Sequence, residues 1–456
     1  MITPNTNPPG APGIPPRLTS SAKTGVGTAH HRQSPLWFTL SHGILNELYY
    51  PGIDQASMRD MEFIVTDGKD FFSEEKRSAR SVTGCPDGVP AYQITNTCVQ
   101  GFYRIEKEII TDPQRPVLLQ RTRFKSLKAR GDNYHLYVLL AAHLGNCGSG
   151  NTAWVEDYKG IPMLFAMREG NTLALDCSVP WLKRSVGFVG FSDGWQDLSA
   201  HKQMTWEYTR AENGNVALTA EIDLNQAKGE FVIAIGFGSN AAEAANHART
   251  SLQEGFDSAH KKYVSSWKEW QRSLLNLDKA RAGDKKDLYR TSTMVMRTHE
   301  SVNFPGGMIA SLAVPWGFSK GDEDLGGYHL VWPRDLVETA GGLLAAGAHE
   351  NARRVLGFLQ ATQEKDGHWA QNMWLNGTPY WSGIQMDETA LPILLVDLAW
   401  REKFLTAEDR THFWPMVRQA AIFLLRNGPI SPQDRWEEDG GYTPFTIGAE
   451  IAAACR

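Results

Sequence analysis

The sequence predicts two architectures in series, a large antiparallel β-sandwich followed by a domain of helical hairpins. Three observations carry this expectation. Apolar residues alternate with a period of two through the first half, and the period lengthens to that of a helix after Ser239. The second half is also interrupted by long, aromatic, glycine-rich loops.

Taken in order, residues 1–16 (MITPNTNPPGAPGIPP) are rich in Pro and Gly and are expected to be disordered or extended. A sandwich is expected over 17–240. Tyr103, Ile105 and Ile109 fall on one parity while Arg104, Glu106 and Glu108 fall on the other, and Val216, Leu218, Ala220, Ile222 and Leu224 repeat that period. Asn213-Gly214 and Glu169-Gly170-Asn171 each separate two such runs and predict hairpins, because Asn and Gly tolerate positive φ. No helical period competes in this half, and two packed sheets are the economical way to bury so many half-apolar strands. Residues 241–286 are polar and helix-favouring, which predicts a linker of one or two helices.

From 287 to 456 the spacing predicts six helices, at roughly 287–302, 335–347, 349–363, 389–403, 407–427 and 443–455. Val355, Phe358 and Leu359 make an i, i+3, i+4 stripe, as do Leu391, Leu394, Leu395 and Leu398. Thr406 with Asp409 reads as an N-cap with its acidic N3 partner, and Gly428-Pro429 as the stop of that helix. Loops 303–334, 364–388 and 428–442 are long for a compact domain, and such loops are commonly functional.

Composition narrows the partners. A net charge of −5 offers no basic footprint for nucleic acid or an anionic membrane. No apolar run is long enough to span a bilayer, and MITPNTNPPGAPGIPPR has no basic region followed by an apolar one, so a cytoplasmic location is expected. Five scattered cysteines without C-x-x-C suggest neither a disulfide framework nor zinc. The acidic GDED at Gly321–Asp324 lacks the spacing of a calcium loop, so no metal and no cofactor are expected. The 15 Trp, 13 Tyr and 19 Phe permit a sugar site, since a pyranose has an apolar face to stack on an indole, but they also serve as ordinary core.

Three loop segments hold residues with chemistry. In GYHLVWPRDL, Arg334 and Asp335 stand between Tyr328, Trp332 and a helix; an Arg–Asp couple can grip vicinal hydroxyls, or can be a structural ion pair with Asp335 as N-cap. In NGTPYWSGIQMDETA, Trp381 can roof a sugar ring or simply pack, and Asp387 precedes a helix. In SPQDRWEEDGGYTP, Asp434, Glu437, Glu438 and Asp439 crowd around Trp436. Neighbouring negative charge and an apolar indole both favour the protonated carboxyl that a general acid needs, while a solvated acidic loop before a helix is the alternative.

These segments together resemble glycoside hydrolase family 15, the family of bacterial glucoamylases and glucodextranases. GDEDLGGYHLVWPRDLVETAGGLLAAGA, GHWAQNMWLNGTPYWSGIQMDE and RWEEDGGYTPFTIGAEIA carry the resemblance in the second half; RLTSSAKTGVGTA, WFTLSHGILNELYYPGIDQ and FIVTDG carry it in the first. The resemblance implies an N-terminal super-β-sandwich, a helical linker and an (α/α)6 barrel, present here as its first half. It implies an inverting exo-acting α-glucosidase releasing β-glucose from the non-reducing ends of α-1,4-glucans. Glucodextranase action on α-1,6 links, a trehalase-like member, a non-catalytic glucan-binding protein and an inactive truncated fragment are the alternatives. Glu437 matches the general acid. Glu438 matches a hydroxyl-binding neighbour, and Arg334 and Asp335 match the pair holding the terminal glucose. Tyr328, Trp332, Trp381 and Trp436 match the aromatic wall, and Asp387 and Asp434 match polar supports. The family's general base lies late in the barrel, about 6.5–9.5 Å from the acid in an inverting enzyme, and no residue of this chain matches it. The chain by itself is therefore expected to be inactive.

Overall fold

The computed structural model describes residues 7–18, 22–128, 134–277, 288–313, 322 and 327–455. The chain divides into two compact units, Met1–Glu269 with Ala313–Leu325, and Trp270–Leu312 with Gly326–Arg456.

The first unit holds two antiparallel sheets. One runs Gly25–Thr28, Trp37–Ser41, Ile44–Tyr49, Ala56–Thr66, His135–Ala142, Val216–Ile222, Trp181–Phe188, with Phe72–Glu74 also paired to Ala56–Thr66. The other runs Arg210–Gly214, Asn151–Tyr158, Ile161–Arg168, Asn171–Cys177, Glu230–Gly238, Val117–Ser126, Tyr103–Thr111, Tyr92–Cys98, Ala79–Gly84. The inward side chains of both meet in one core, with Phe38, Leu40, Met61 and Leu140 from the first sheet and Ile105, Leu118, Leu164 and Ile235 from the second. This is the sandwich expected from the period of two. The strand Val216–Ile222 is buried on both faces, so its Thr219 and Glu221 are covered as well.

Two helices, Ala241–Glu254 and Phe256–Ser273, occupy the stretch read as a linker. The first lies directly on the second sheet, contacting Asn171–Cys177 and Glu230–Gly238. Gly236 permits that approach: a Cβ there would stand 2.4 Å from the carbonyl oxygen of Ala244.

Three expectations need correction. The Glu169-Gly170 turn does close a hairpin, with both residues at positive φ, but Asn213-Gly214 does not. The strand Arg210–Gly214 pairs with Asn151–Tyr158, and Val216–Ile222 belongs to the other sheet. The positive φ of Asn213 serves to carry the chain from one sheet to the next. Within the expected disordered N-terminus, residues 7–16 are held in place: Ile14 N donates to Val189 O at 3.0 Å and Asn215 N donates to Pro12 O at 2.7 Å. A short helix, Gly194–His201, also interrupts the β half, capped by Asp193, which accepts from Trp195 N and Gln196 N. Eight residues are too few for a helical period to stand out in the sequence.

The second unit is built from Leu288–Thr298, Pro333–Ala345, His349–Thr362, Met386–Arg401, Ala407–Asn427 and Pro444–Ala454. Pro333–Ala345, Met386–Arg401 and Pro444–Ala454 pack side by side, and His349–Thr362 and Ala407–Asn427, which alternate with them in sequence, each pack against their neighbours in the chain. This alternation is that of an (α/α) barrel. The predicted stripe Val355, Phe358 and Leu359 is buried. Thr406 and Asp409 form a reciprocal capping box, and the helix they start runs on through Pro415 to Asn427. The GDED segment lies outside the described residues except for Asp322. No helix among the described residues is long and apolar enough to cross a membrane.

Candidate active site

A cavity of about 380 Å³ opens in the second unit, lined by residues from three loops and the first two turns of a helix: Tyr328, Trp332, Arg334, Asp335, Glu338, Trp381, Arg435, Trp436 and Glu437 among them. Its size lies in the ordinary range of small-molecule sites.

The helix Pro333–Ala345 supplies the floor. Proline at its first position and Trp332 as N-cap start it two residues earlier than the sequence suggests. Asp335 is therefore a first-turn residue and not the cap. Arg334 reaches inward, and its Nη1 donates to Gln385 Oε1 at 2.7 Å and to Asp387 Oδ2 at 2.9 Å. The same Nη1 is 3.6 Å from Glu388 Oε1, while Nε is a looser 3.9 Å from Asp335 Oδ2. Arg334 is thus anchored by the first turn of Met386–Arg401 and its N-cap Gln385, and Asp335 stays available to the cavity. Burial pushes the Asp335 carboxyl up against the opposing pull of Arg334, and the charges of Glu338 and Glu437 push the same way.

Asp387 and Glu388 are both wholly buried. Asp387 does not line the cavity; it braces Arg334 from behind. Glu388 was not singled out from the sequence. Burial drives its carboxyl well above the usual range, with Arg334 opposing and Asp387 and Asp335 reinforcing. Glu450, on Pro444–Ala454, is also pushed up by burial and by the charge of Asp387.

The acidic loop is closed by an antiparallel bridge between Ser431 and Gly441, whose backbone groups exchange hydrogen bonds of 3.1 and 2.9 Å. Gly440 makes the closure sterically feasible, since a Cβ there would meet Pro432 O at 2.6 Å. Ser431 Oγ also accepts from Met386 N, tying this loop to the one that braces Arg334. Asp434 acts as the internal former of the loop: Oδ1 accepts from Trp436 N at 3.0 Å and Glu438 N at 3.1 Å, and its carbonyl accepts from Glu437 N at 3.0 Å. These bonds hold Glu437 at φ +65°, a left-handed conformation that costs a non-glycine residue about 1–2 kcal/mol.

So placed, the Glu437 carboxylate accepts from Trp332 Nε1 at 3.2 Å. The indole hydrogen-bonded to it is therefore that of Trp332, 105 residues away in sequence, and not that of its neighbour Trp436. Trp332 is 6% exposed and Trp436 69%. Tyr328 leans over Trp332 with ring centroids 5.8 Å apart, and Trp381 is tilted against Tyr380 at 5.3 Å. Of the residues singled out from the sequence, Tyr328, Trp332, Arg334, Asp335, Trp381, Trp436 and Glu437 converge on the cavity. Asp387 and Asp434 support it from behind and from within the loop, and Glu438 is exposed and outside the lining. Arg435 and Glu338 line it without having been anticipated; nothing local to either distinguishes it from a solvated surface charge.

An arginine, several carboxylates and flat indoles around a half-open cavity suit a polyhydroxylated ring: charged groups for its hydroxyls, aromatic planes for its C–H face. Residues 8–272 match the family model of glucodextranase, domain N, and residues 283–373 and 365–456 match that of the glycosyl hydrolases family 15. The chain is 39% identical over 442 residues to a glucoamylase of Clostridium sp. (strain G0005), covering 97% of this chain and 61% of that protein. It superposes on the crystal structure of a bacterial glucoamylase complexed with acarbose with a TM-score of 0.92 and 37% identity, covering 99% of this chain and 65% of that one. It is also 30% identical over 131 residues to an uncharacterized glycosyl hydrolase of Methanocaldococcus jannaschii, over 27% of this chain and 20% of that protein. The chain belongs to the proteins that carry a glucodextranase N domain, and its second half matches the glycosyl hydrolases family 15. It spans less than two thirds of the length of the two glucoamylases it matches.

Proposed function

We propose that the cavity binds the non-reducing end of an α-1,4-linked glucan, and that Glu437 is the general acid of an inverting exo-acting glucosidase. The observation that carries this reading is the placing of Glu437: its carboxylate is held by the Trp332 indole in the same cavity as Arg334 and Asp335. Resemblance to two glucoamylases adds weight to the glucan assignment.

In this reading a terminal glucose enters with its far hydroxyls toward the floor. Arg334, fixed by Gln385 and Asp387, donates to one hydroxyl, and Asp335 accepts from the next. Tyr328, Trp332 and Trp381 cover its C–H face and exclude water. Glu437 protonates the glycosidic oxygen as the C1–O bond breaks. A water attacks C1 from the opposite face, losing its proton to a base, so that a new C1–O bond forms with inverted configuration. No residue of the cavity is assigned the role of that base.

The test is calorimetric titration of the chain with maltose, isomaltose and trehalose. Maltose is expected to bind tightest. Preference for isomaltose would move the assignment to α-1,6 links, and preference for trehalose to a trehalase-like specificity. Any glucose released from maltotriose is expected as the β-anomer by proton NMR, and initial release of the α-anomer would overturn the inverting mechanism.

A further inference from the structure

Arg435 precedes Trp436 on the acidic loop. Its guanidinium carbon lies 4.6 Å from the centroid of the Trp436 ring and 4.6 Å from that of Phe445, which stands in the first turn of Pro444–Ala454. Two rings therefore fix the guanidinium in place at the cavity wall. Among the described residues its N–H groups carry no hydrogen bond and no ion pair, although every other arginine that lines the cavity, namely Arg334, is anchored to carboxylates. A partly exposed guanidinium with five donors and no polar protein partner keeps those donors available to a ligand in the cavity.

Exposure orders the cavity. Trp332 and Arg334 sit deep, and Trp436 and Glu437, which follow Arg435 on its loop, are exposed on its outer side. If the terminal sugar is held on the floor, the bond facing Glu437 is the one to the second sugar, and that second ring lies toward the mouth.

We infer that Arg435 is a specificity-determining residue that binds the second sugar ring of an α-glucan, donating hydrogen bonds to its hydroxyls on the leaving-group side of Glu437. This rests on the reading of the cavity as a glucan site. The rings of Trp436 and Phe445 hold the planar fork in its binding position before any sugar arrives, so little side-chain entropy is lost on binding. The residue thereby rewards a chain of two or more sugars and contributes nothing to a single glucose.

The experiment is titration calorimetry of the 456-residue chain and its Arg435→Met and Arg435→Lys variants with glucose and with maltose. Methionine keeps length and apolar contact with both rings but has no donor; lysine keeps the charge without the fork. Arg435→Met is expected to weaken maltose by ~10- to 100-fold while glucose changes by less than about twofold, the effect of removing hydrogen bonds from a charged donor. Arg435→Lys is expected to fall between. An equal loss on both sugars would show a mere brace for the loop and overturn the inference, as would maltose binding by Arg435→Met at the level of the unaltered chain. Should the methionine variant fail to fold, Arg435→Lys decides by the same criterion of unequal loss. An unaltered chain that binds neither sugar would overturn the functional reading and this inference with it; normal maltose binding with no effect at Arg435 would overturn the inference alone.

Discussion

Two wholly buried acids stand side by side against one arginine, and substituting each by its amide should have unequal consequences. Arg334 has its hydrogen bond to Asp387, at 2.9 Å, while Glu388 stays at 3.6 Å. One buried guanidinium can neutralise one buried carboxylate, and ionising the second would leave an uncompensated charge. Burial, opposed by Arg334 and aided by Asp387 and Asp335, accordingly raises the Glu388 carboxyl well above its ordinary 4.5, which favours its protonated form. Asp387→Asn breaks the pair and should cost about 3–5 kcal/mol at pH 7. Glu388→Gln replaces one neutral group by another of the same shape and should cost less than about 1 kcal/mol by the same reasoning. The pH dependence separates the two further. Above pH 4.5 the unfolded chain releases the Glu388 proton before the folded chain does, so stability falls as pH rises toward the folded pKa, by up to about 1.4 kcal/mol per unit. Glu388→Gln removes that slope, so its stability relative to the unaltered chain should rise as pH rises above 4.5. Urea unfolding followed by tryptophan fluorescence at several pH values measures both effects. A Glu388→Gln penalty at pH 7 as large as that of Asp387→Asn, or an unchanged slope, would refute the reasoning.

Two further predictions concern other parts of the chain. Trp332→Phe keeps an aromatic plane but removes the donor 3.2 Å from Glu437 Oε1; it should weaken an amine-linked maltose analogue by ~10-fold, as loss of a charged hydrogen bond implies, and maltose by less, in parallel titrations. In the first unit, His143 is buried with its pKa lowered to about 4, chiefly by burial, with Asp322 opposing and Arg59 and Arg168 reinforcing. As pH falls from 6.5 toward 4 the unfolded chain takes up a proton that the folded one refuses, so stability should drop by about 1.4 kcal/mol per unit. His143→Gln should flatten that drop in thermal unfolding.

Local chemistry was the legible part of this molecule. The Thr406–Asp409 cap, the Val355–Phe358–Leu359 stripe and the Glu169-Gly170 hairpin are each decided by residues within a few positions of one another, and each takes the expected form. The failures share the opposite cause. Asn213-Gly214 has the composition of a hairpin turn, but whether the chain folds back or crosses to another sheet is settled by distant pairing with Asn151–Tyr158. Adjacency suggested Trp436 as the indole beside Glu437, whereas the loop turn set by Asp434 presents the carboxylate to Trp332. The buried state of Glu388 and the ring-held Arg435 likewise depend on segments brought together only by folding.

The central claim is that Glu437 faces the glycosidic atom of a bound glucan. Titration of the chain and of Glu437→Gln with maltose and with a maltose analogue bearing an amine in place of the glycosidic oxygen tests it most directly. The unaltered chain should bind the amine far more tightly than maltose, since a protonated nitrogen would pair with the carboxylate, and Glu437→Gln should abolish that preference while maltose affinity stays within a few-fold. A Glu437→Gln chain that still prefers the amine to the full extent would contradict the account.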